Sequence, residues 1–252
     1  DQDSEVNGAV DEIIHSVREK GDAALLHYTN EFDGRSVKDI EHLEVADFKG
    51  SIDALSKELR QALEVSADRI EAFHVRQKEG SWDFQDELGV SLGQKITPLD
   101  SVGVYVPGGT ASYPSSVLMN TIPASVAGVD EIIMAVPAPD GNVSKSVLAA
   151  AELAGVARIF TIGGAQAIAA LAFGTETIPK VDKIVGPGNQ YVATAKKKLF
   201  GVVGIDMIAG PSEVLIICDG DTNSDWIAMD LLAQAEHDED AQSILISDKS
   251  DF

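Results

Sequence analysis

From Val102 onward the chain alternates short apolar runs with stretches of helical period, and that alternation leaves few folds open. The runs Val102–Val106, Glu131–Val136, Arg158–Ile162, Lys183–Val185, Val214–Cys218 and Ser243–Ser247 have the length and composition of strands. Helical patterns fall between them, near 115–127, 144–154, 165–173, 189–200 and 224–236. Strands that alternate with helices pair in parallel, because each crossover returns the chain to the same edge of the sheet. The expected fold is α/β, with doubly wound, mostly parallel sheets in two Rossmann-like units.

The first hundred residues read differently. Val6, Val10, Ile13, Ile14 and Val17 follow the helical period, and Gly21 is placed to stop that helix. A second, short helix carries Leu25, Leu26 and Tyr28 and ends near Asp33-Gly34. A longer one is predicted from about Ser51 to Gln77, with Ile52, Leu55, Leu59, Leu63, Ile70 and Phe73 on its buried stripe. Trp82 and Phe84, then Val90 and Leu92, alternate about a glycine-bearing segment, which predicts a β-hairpin ended by Pro98. His42 and His74 have no partner motif around them and read as structural or exposed. The expected organisation is N-terminal helices and hairpin over 1–100, a first α/β unit over 101–205, and the start of a second over 206–252, with a break near Gly201–Gly210.

Charge and cysteine content narrow the function classes. The chain has 41 acidic and 19 basic residues, a net charge of −22. Such a balance repels phosphate backbones and anionic membrane surfaces, so neither nucleic acid nor membrane is an expected partner. Cys218 is the single cysteine, which excludes an intrachain disulfide and thiolate zinc motifs and fits a reducing, cytoplasmic setting. No apolar run approaches the ~20 residues that span a bilayer. The start, Asp1-Gln2-Asp3-Ser4-Glu5, is acidic and unlike a signal peptide. It has no initiator methionine, so the chain reads as trimmed or processed.

Glycine concentrates in the strand-to-helix turns. They are Tyr105-Val106-Pro107-Gly108-Gly109-Thr110, Ile162-Gly163-Gly164-Ala165-Gln166-Ala167 and Val185-Gly186-Pro187-Gly188-Asn189-Gln190. In an open α/β sheet such turns sit at the carboxyl ends of the strands, where ligands bind. Glycine lets the backbone approach a ligand, and the helix that comes next offers free N–H groups to an anion. The third turn nearly matches a dinucleotide fingerprint, but Tyr191 stands where the third glycine belongs. A tight turn packed under a sheet would look the same. Gly210-Pro211-Ser212-Glu213 is a further turn before a strand, where Ser212 could donate a hydrogen bond, and no Ser-His-Asp arrangement can be assembled.

Gln234 and His237 lie three residues apart near a helix end, so they share one face. An amide oxygen and an imidazole nitrogen there could hold half of a metal's coordination shell, although glutamine is an uncommon zinc ligand. Glu236, Asp238, Glu239 and Asp240 crowd the same carboxyl end, where the helix macrodipole already disfavours acids. A bound cation would offset that repulsion, and so would screening by salt.

Together these segments resemble histidinol dehydrogenase. The resemblance rests on Val102–Gly109, Gly163–Gly174, Val181–Asn189, Ile205-Asp206-Met207, Ala209–Val214 and Asp230–His237, in that family's order and across nearly the whole chain. It implies zinc-dependent oxidation of L-histidinol to L-histidine through the aldehyde, with two NAD and two hydride transfers, in histidine biosynthesis. It also implies an intertwined homodimer. Tyr105, Gln166 and Asn189 match the family's NAD-contact positions, Ser212 a substrate-contact position, and Gln234 and His237 two of four zinc ligands that also hold the substrate. The zinc is expected mainly to position the substrate's imidazole and amine.

The departures bear on activity. The family's remaining zinc ligands and its Glu-His general base pair are expected beyond residue 252, so no catalytic residue is assigned in this chain and its zinc site is incomplete. Asp238-Glu239 also replaces the family's Gly-Pro after His237. The chain therefore reads as a fragment that is inactive alone. Two other readings stay open: a dehydrogenase of another small polar alcohol on the same scaffold, and a non-enzymatic truncated scaffold or dimerising module.

Overall fold

Val6, Val10, Ile13 and Val17 fall on one helical face, and they are the buried apolar stripe of α1 (Gln2–Lys20). The structure, a computed structural model, describes residues 2–108, 113–208, 213–236 and 241–249. Gly21 separates α1 from α2 (Asp22–Phe32), as the spacing predicts. The chain forms two compact units, Asp1–Ile208 and Ala209–Phe252.

The third helix begins later than its pattern suggests. α3 spans Lys57–His74, and Val75–Gln77 continue as a short 3-10 turn. Capping sets the start: Ser56 Oγ accepts the N–H of Leu59 at 3.2 Å, satisfying one of the free donors of the first turn. The segment before it is tied elsewhere, because Gly50 and Ile52 donate their N–H groups to Glu152 at 2.6 and 3.0 Å. Ile52 and Leu55 still pack against the core, but from turns. Leu63 and Ala67 are the buried residues of α3, while Leu59 and Phe73, placed on the buried stripe by the pattern, are exposed. Beyond it, β1 (Trp82–Gln85) and β2 (Ser91–Gln94) pair antiparallel, from Trp82 opposite Gln94 to Gln85 opposite Ser91.

The sheet of the first unit has the strands β3 (Ser101–Tyr105), β4 (Glu131–Ala135), β5 (Arg158–Phe160), β6 (Lys183–Val185) and β7 (Gly204–Ile205). All pair in parallel in the spatial order β5-β4-β3-β6-β7. β7, two residues long, falls in the segment that reads as a break, since so short a strand carries no period. Between the strands run α4 (Pro114–Ala127), α5 (Lys145–Ala154), α6 (Gly164–Phe173) and α7 (Gln190–Leu199). Successive strand residues face opposite sides of the sheet. Val102, Val104, Ile132, Met134 and Ile159 therefore join the layer of α3, α4 and α5. Tyr105, Ile133, Ala135, Phe160 and Ile184 join that of α1, α2, α6 and α7. α6 is buried from Ala165 to Ala172, with α1, α2 and α7 packed around it. Its run of alanines lets those helices come close, and Gly103 beneath it leaves room for Leu171, whose Cδ1 would lie 3.0 Å from a Cβ there.

In the second unit β8 (Glu213–Cys218) and β9 (Gln242–Ser247) pair in parallel, joined by α8 (Ser224–Ala235). The register runs from Glu213 opposite Gln242 to Cys218 opposite Ser247. Two parallel strands with a helix between them make a βαβ step. Among the described residues, no helix is long and apolar enough to cross a membrane.

Candidate functional site

The strand order reverses its winding at one place. From β3 the chain moves outward through β4 to β5, then crosses back to lay β6 on the other side of β3. Helices that wind in opposite senses leave a crevice at the carboxyl ends of those two central strands. The turns after β3 and β6 open onto it, and the turn after β5 lies on the same carboxyl edge.

Close contacts tie these turns together. Gly186 has φ +109°, and a Cβ there would stand 2.0 Å from the carbonyl oxygen of Tyr105, so no side chain fits. The N–H of Gly164 donates to the Tyr105 hydroxyl at 3.1 Å. Gly109 and Thr110 lie outside the described residues.

Tyr105 is 3% exposed. Burial pushes its phenol up to about 12, the Gly164 N–H works against that rise, and the negative charge of Asp33 adds to it. The phenol is therefore protonated at neutral pH, accepting from Gly164 while keeping a proton to donate. Gln166 is 2% exposed, and its Oε1 has no hydrogen-bond partner among the described residues. A Cβ on Gly164 would lie 2.7 Å from that oxygen. A buried acceptor without a donor is rare and calls for an explanation. Asn189 acts locally as the cap of α7, where its Oδ1 accepts the N–H groups of Tyr191 at 3.1 Å and Val192 at 3.2 Å.

Asp33 is a residue that sequence reasoning missed, because Asp-Gly after a helix reads simply as a turn. Burial holds its carboxyl above the ordinary value of 3.8, and Arg35 offsets part of the rise. Its Oδ2 is shielded without a hydrogen-bond partner among the described residues. Arg35 Nη1 donates to the carbonyl and hydroxyl oxygens of Thr161 at 3.2 and 3.0 Å, pinning the segment after α2 to the end of β5. Only three-dimensional folding brings Asp33 near Tyr105, so no local pattern could have announced it.

The second unit holds Gln234, in the last turn of α8. Its Nε2 is shielded from solvent and has no partner among the described residues. Ser212, His237 and the acids Asp238, Glu239 and Asp240 lie outside the described residues. Among those described, no group of three or more His, Cys, Asp or Glu residues could hold a metal ion. His42 and His74 are exposed or half-exposed; His42 lies 3.9 Å from Asp39, and His74 bonds Gln77 at 2.6 Å.

Glycine turns, a buried phenol and an orphan amide share the carboxyl edge of a doubly wound α/β sheet at its switch point, the place where folds of this class bind ligands. Comparison narrows the class. A family profile for histidinol dehydrogenase matches residues 1–252, and the chain belongs to that family. Histidinol dehydrogenase of Aromatoleum aromaticum is 60% identical over 252 residues, covering 99% of this chain and 58% of the relative. That of Pseudomonas putida is also 60% identical over 252 residues, covering 99% of this chain and 57% of the relative. The crystal structure of histidinol dehydrogenase from Elizabethkingia anophelis matches with a TM-score of 0.89 at 42% identity, covering 97% of this chain and 57% of that one. The chain thus spans a little over half the length of these relatives.

Proposed function

We propose that this chain is the cofactor-binding part, and half of the zinc site, of a homodimeric, cytoplasmic histidinol dehydrogenase. The whole protein would oxidise L-histidinol, or failing that a similar small polar alcohol, with NAD. The observation that carries this reading is Gln166 Oε1, which has no hydrogen-bond partner among the described residues and is buried beside the glycine turn that also binds Tyr105. NAD, when bound, supplies the hydride acceptor. The chain's own residues fit it: Gln166 offers an acceptor with no other partner among the described residues, Tyr105 a neutral phenol, and the glycine turns backbone that a ligand can approach. Asn189 would act at the mouth of α7, where it already orders the first turn. Ser212 is proposed for substrate contact.

The two ligands assigned to zinc in this chain do not complete a site. Gln234 and His237 are two neutral ligands, and structural or catalytic zinc needs three or four from protein. We therefore assign Gln234 and His237 as half a site and derive no step through the metal.

Titration calorimetry separates these parts. NAD added to the 252-residue chain should give a saturable heat, whereas zinc should give little or none. Histidinol added with NAD should produce no NADH. Absence of heat with NAD would overturn the crevice reading. Robust turnover by the 252-residue chain would overturn the claim that essential groups lie elsewhere.

A further inference from the structure

Lys196 is a buried cation in the apolar layer beneath the third glycine turn, with a side chain only 3% exposed. Burying an ammonium costs several kcal/mol unless it is paired, and an apolar residue of similar volume is often the more stable choice. Its surroundings show a specific arrangement. Lys196 Nζ donates to the carbonyl oxygen of Gly186 at 3.0 Å and is paired with Asp206 Oδ1. The other carboxylate oxygen, Asp206 Oδ2, accepts the N–H of the same Gly186 at 2.8 Å. One ion pair therefore holds both polar groups of a single residue. That residue has φ +109° and lies against Tyr105 O. Lys196 comes from α7 and Asp206 from the segment after β7, so the turn is gripped from two elements.

We propose that Lys196 and Asp206 are positioning residues that set the Gly186-Pro187-Gly188 turn, and with it Asn189, in the geometry that receives the cofactor. The inference rests on the crevice being the NAD site. Both polar groups of Gly186 are held by the ion pair, so its part is to aim the residues after it rather than to touch a ligand. Asn189 is three residues on, at the cap of α7. Without the clamp, the Gly186 peptide is free to rotate, and glycine opposes that rotation less than any other residue. An ion pair of purely structural value would stabilise the unit and leave ligand affinity alone.

NADH fluorescence titration of the 252-residue chain and of Lys196→Met and Asp206→Asn tests this, with circular dichroism to confirm folding. Each variant should weaken NADH binding by about tenfold or more, the loss expected for a hydrogen bond to a charged group. Lys196→Arg, which keeps donors, should weaken it less. Folded variants that melt earlier but bind NADH as the unaltered chain does would overturn the positioning role and leave the crevice reading intact. No binding by the unaltered chain would instead overturn the crevice reading, and the cofactor role of the clamp with it. Amide hydrogen exchange in the unaltered chain needs no variant to fold. The Gly186 N–H should be as protected as that of Ile184 in β6, and exchange at the rate of an open loop would show that the clamp does not form.

Discussion

The two units are built from the same βαβ step but use it differently. In the first, β3 and β4 are buried almost throughout, and α6 is enclosed along eight successive positions, Ala165 to Ala172. In the second, β9 and α8 have no buried residue, and β8 has only Cys218. The apolar runs are alike in composition. Ile133 and Ile184 are fully enclosed, whereas Ile217 is 75% exposed. A parallel strand is written apolar on both sides because both sides are normally covered. The described residues of β8, α8 and β9 thus carry the sequence of a core with their faces exposed, and a pair of strands with one helix is too small to supply its own cover. Local pattern sets which element forms, whereas burial depends on what else is packed there.

The largest way to break the comparison is to spoil the close approach on which the first unit depends. Gly186→Val places a branched side chain where Tyr105 O stands 2.0 Å from the Cβ, at a φ that side chains avoid. Overpacking and backbone strain together should cost about 2–6 kcal/mol, read as a shift in the urea midpoint. Next, equivalent truncations in each unit should differ sharply. Leu171→Ala empties a fully buried position and should cost about 2–5 kcal/mol. Ile217→Ala, at an exposed position, should stay within about 0.5 kcal/mol. Equal losses from the two would mean that the second unit is covered in solution.

Much of this contrast could not be read in the sequence, and the reason is physical. Alternating runs such as Val102–Val106 and Glu131–Val136 announced parallel strands because period and length are local properties. The turn residues Gly163, Gly164 and Gly186 announced close approaches for the same reason. The start of α3 was misplaced because Glu152, a hundred residues away, competes for the N–H groups of Gly50 and Ile52. Leu59 and Phe73 looked buried because periodicity names a face without saying that anything covers it. Asp33 and Lys196 were silent for another reason. A charged residue at a helix end or on a basic stretch reads as solvated, and only the fold shows which charges were drawn inside. Lys196 stands in a run of three lysines, with nothing local to distinguish it.

Ion pairs extend the comparison at smaller amplitude. Arg158 binds Glu44 through Nε and Nη2, both at 2.8 Å, with each side chain 30% exposed. Lys249 pairs with Asp221 in the second unit, where the side chains are 43% and 78% exposed. Glu44→Gln should cost about 1 kcal/mol at neutral pH, and Asp221→Asn nothing measurable. The Arg158 hydrogen bonds hold the Glu44 carboxyl below its ordinary value of 4.5. A depressed acid contributes stability above that value, and the contribution is lost as pH falls through the folded one. The difference between the unaltered chain and Glu44→Gln, measured by urea unfolding, should therefore close below 4.5. A gap that persists undiminished in acid would mean that packing, not charge, makes the contribution.

Asp33 should show the opposite sign, with a smaller effect. Its carboxyl is held above 3.8 by burial, so ionising it in the folded chain costs more than in the unfolded one. Stability from this group is whole below that value and falls as pH rises toward the folded one, because the unfolded chain ionises first. Asp33→Asn removes the cost, so the variant should be the more stable at pH 7, with the advantage vanishing below 3.8. The same change should let the Tyr105 phenol drop from about 12, since the charge of Asp33 contributes to that rise. Tyrosinate absorbance in alkaline titration reads this directly, and an unmoved phenol would show that burial alone sets it. A carboxylate kept at a stability cost near a buried phenol fits the binding role proposed above for this edge of the sheet. A variant that gains stability while losing NADH affinity would place Asp33 among the groups the crevice uses. A variant that gains stability with affinity unchanged would leave it a strained neighbour.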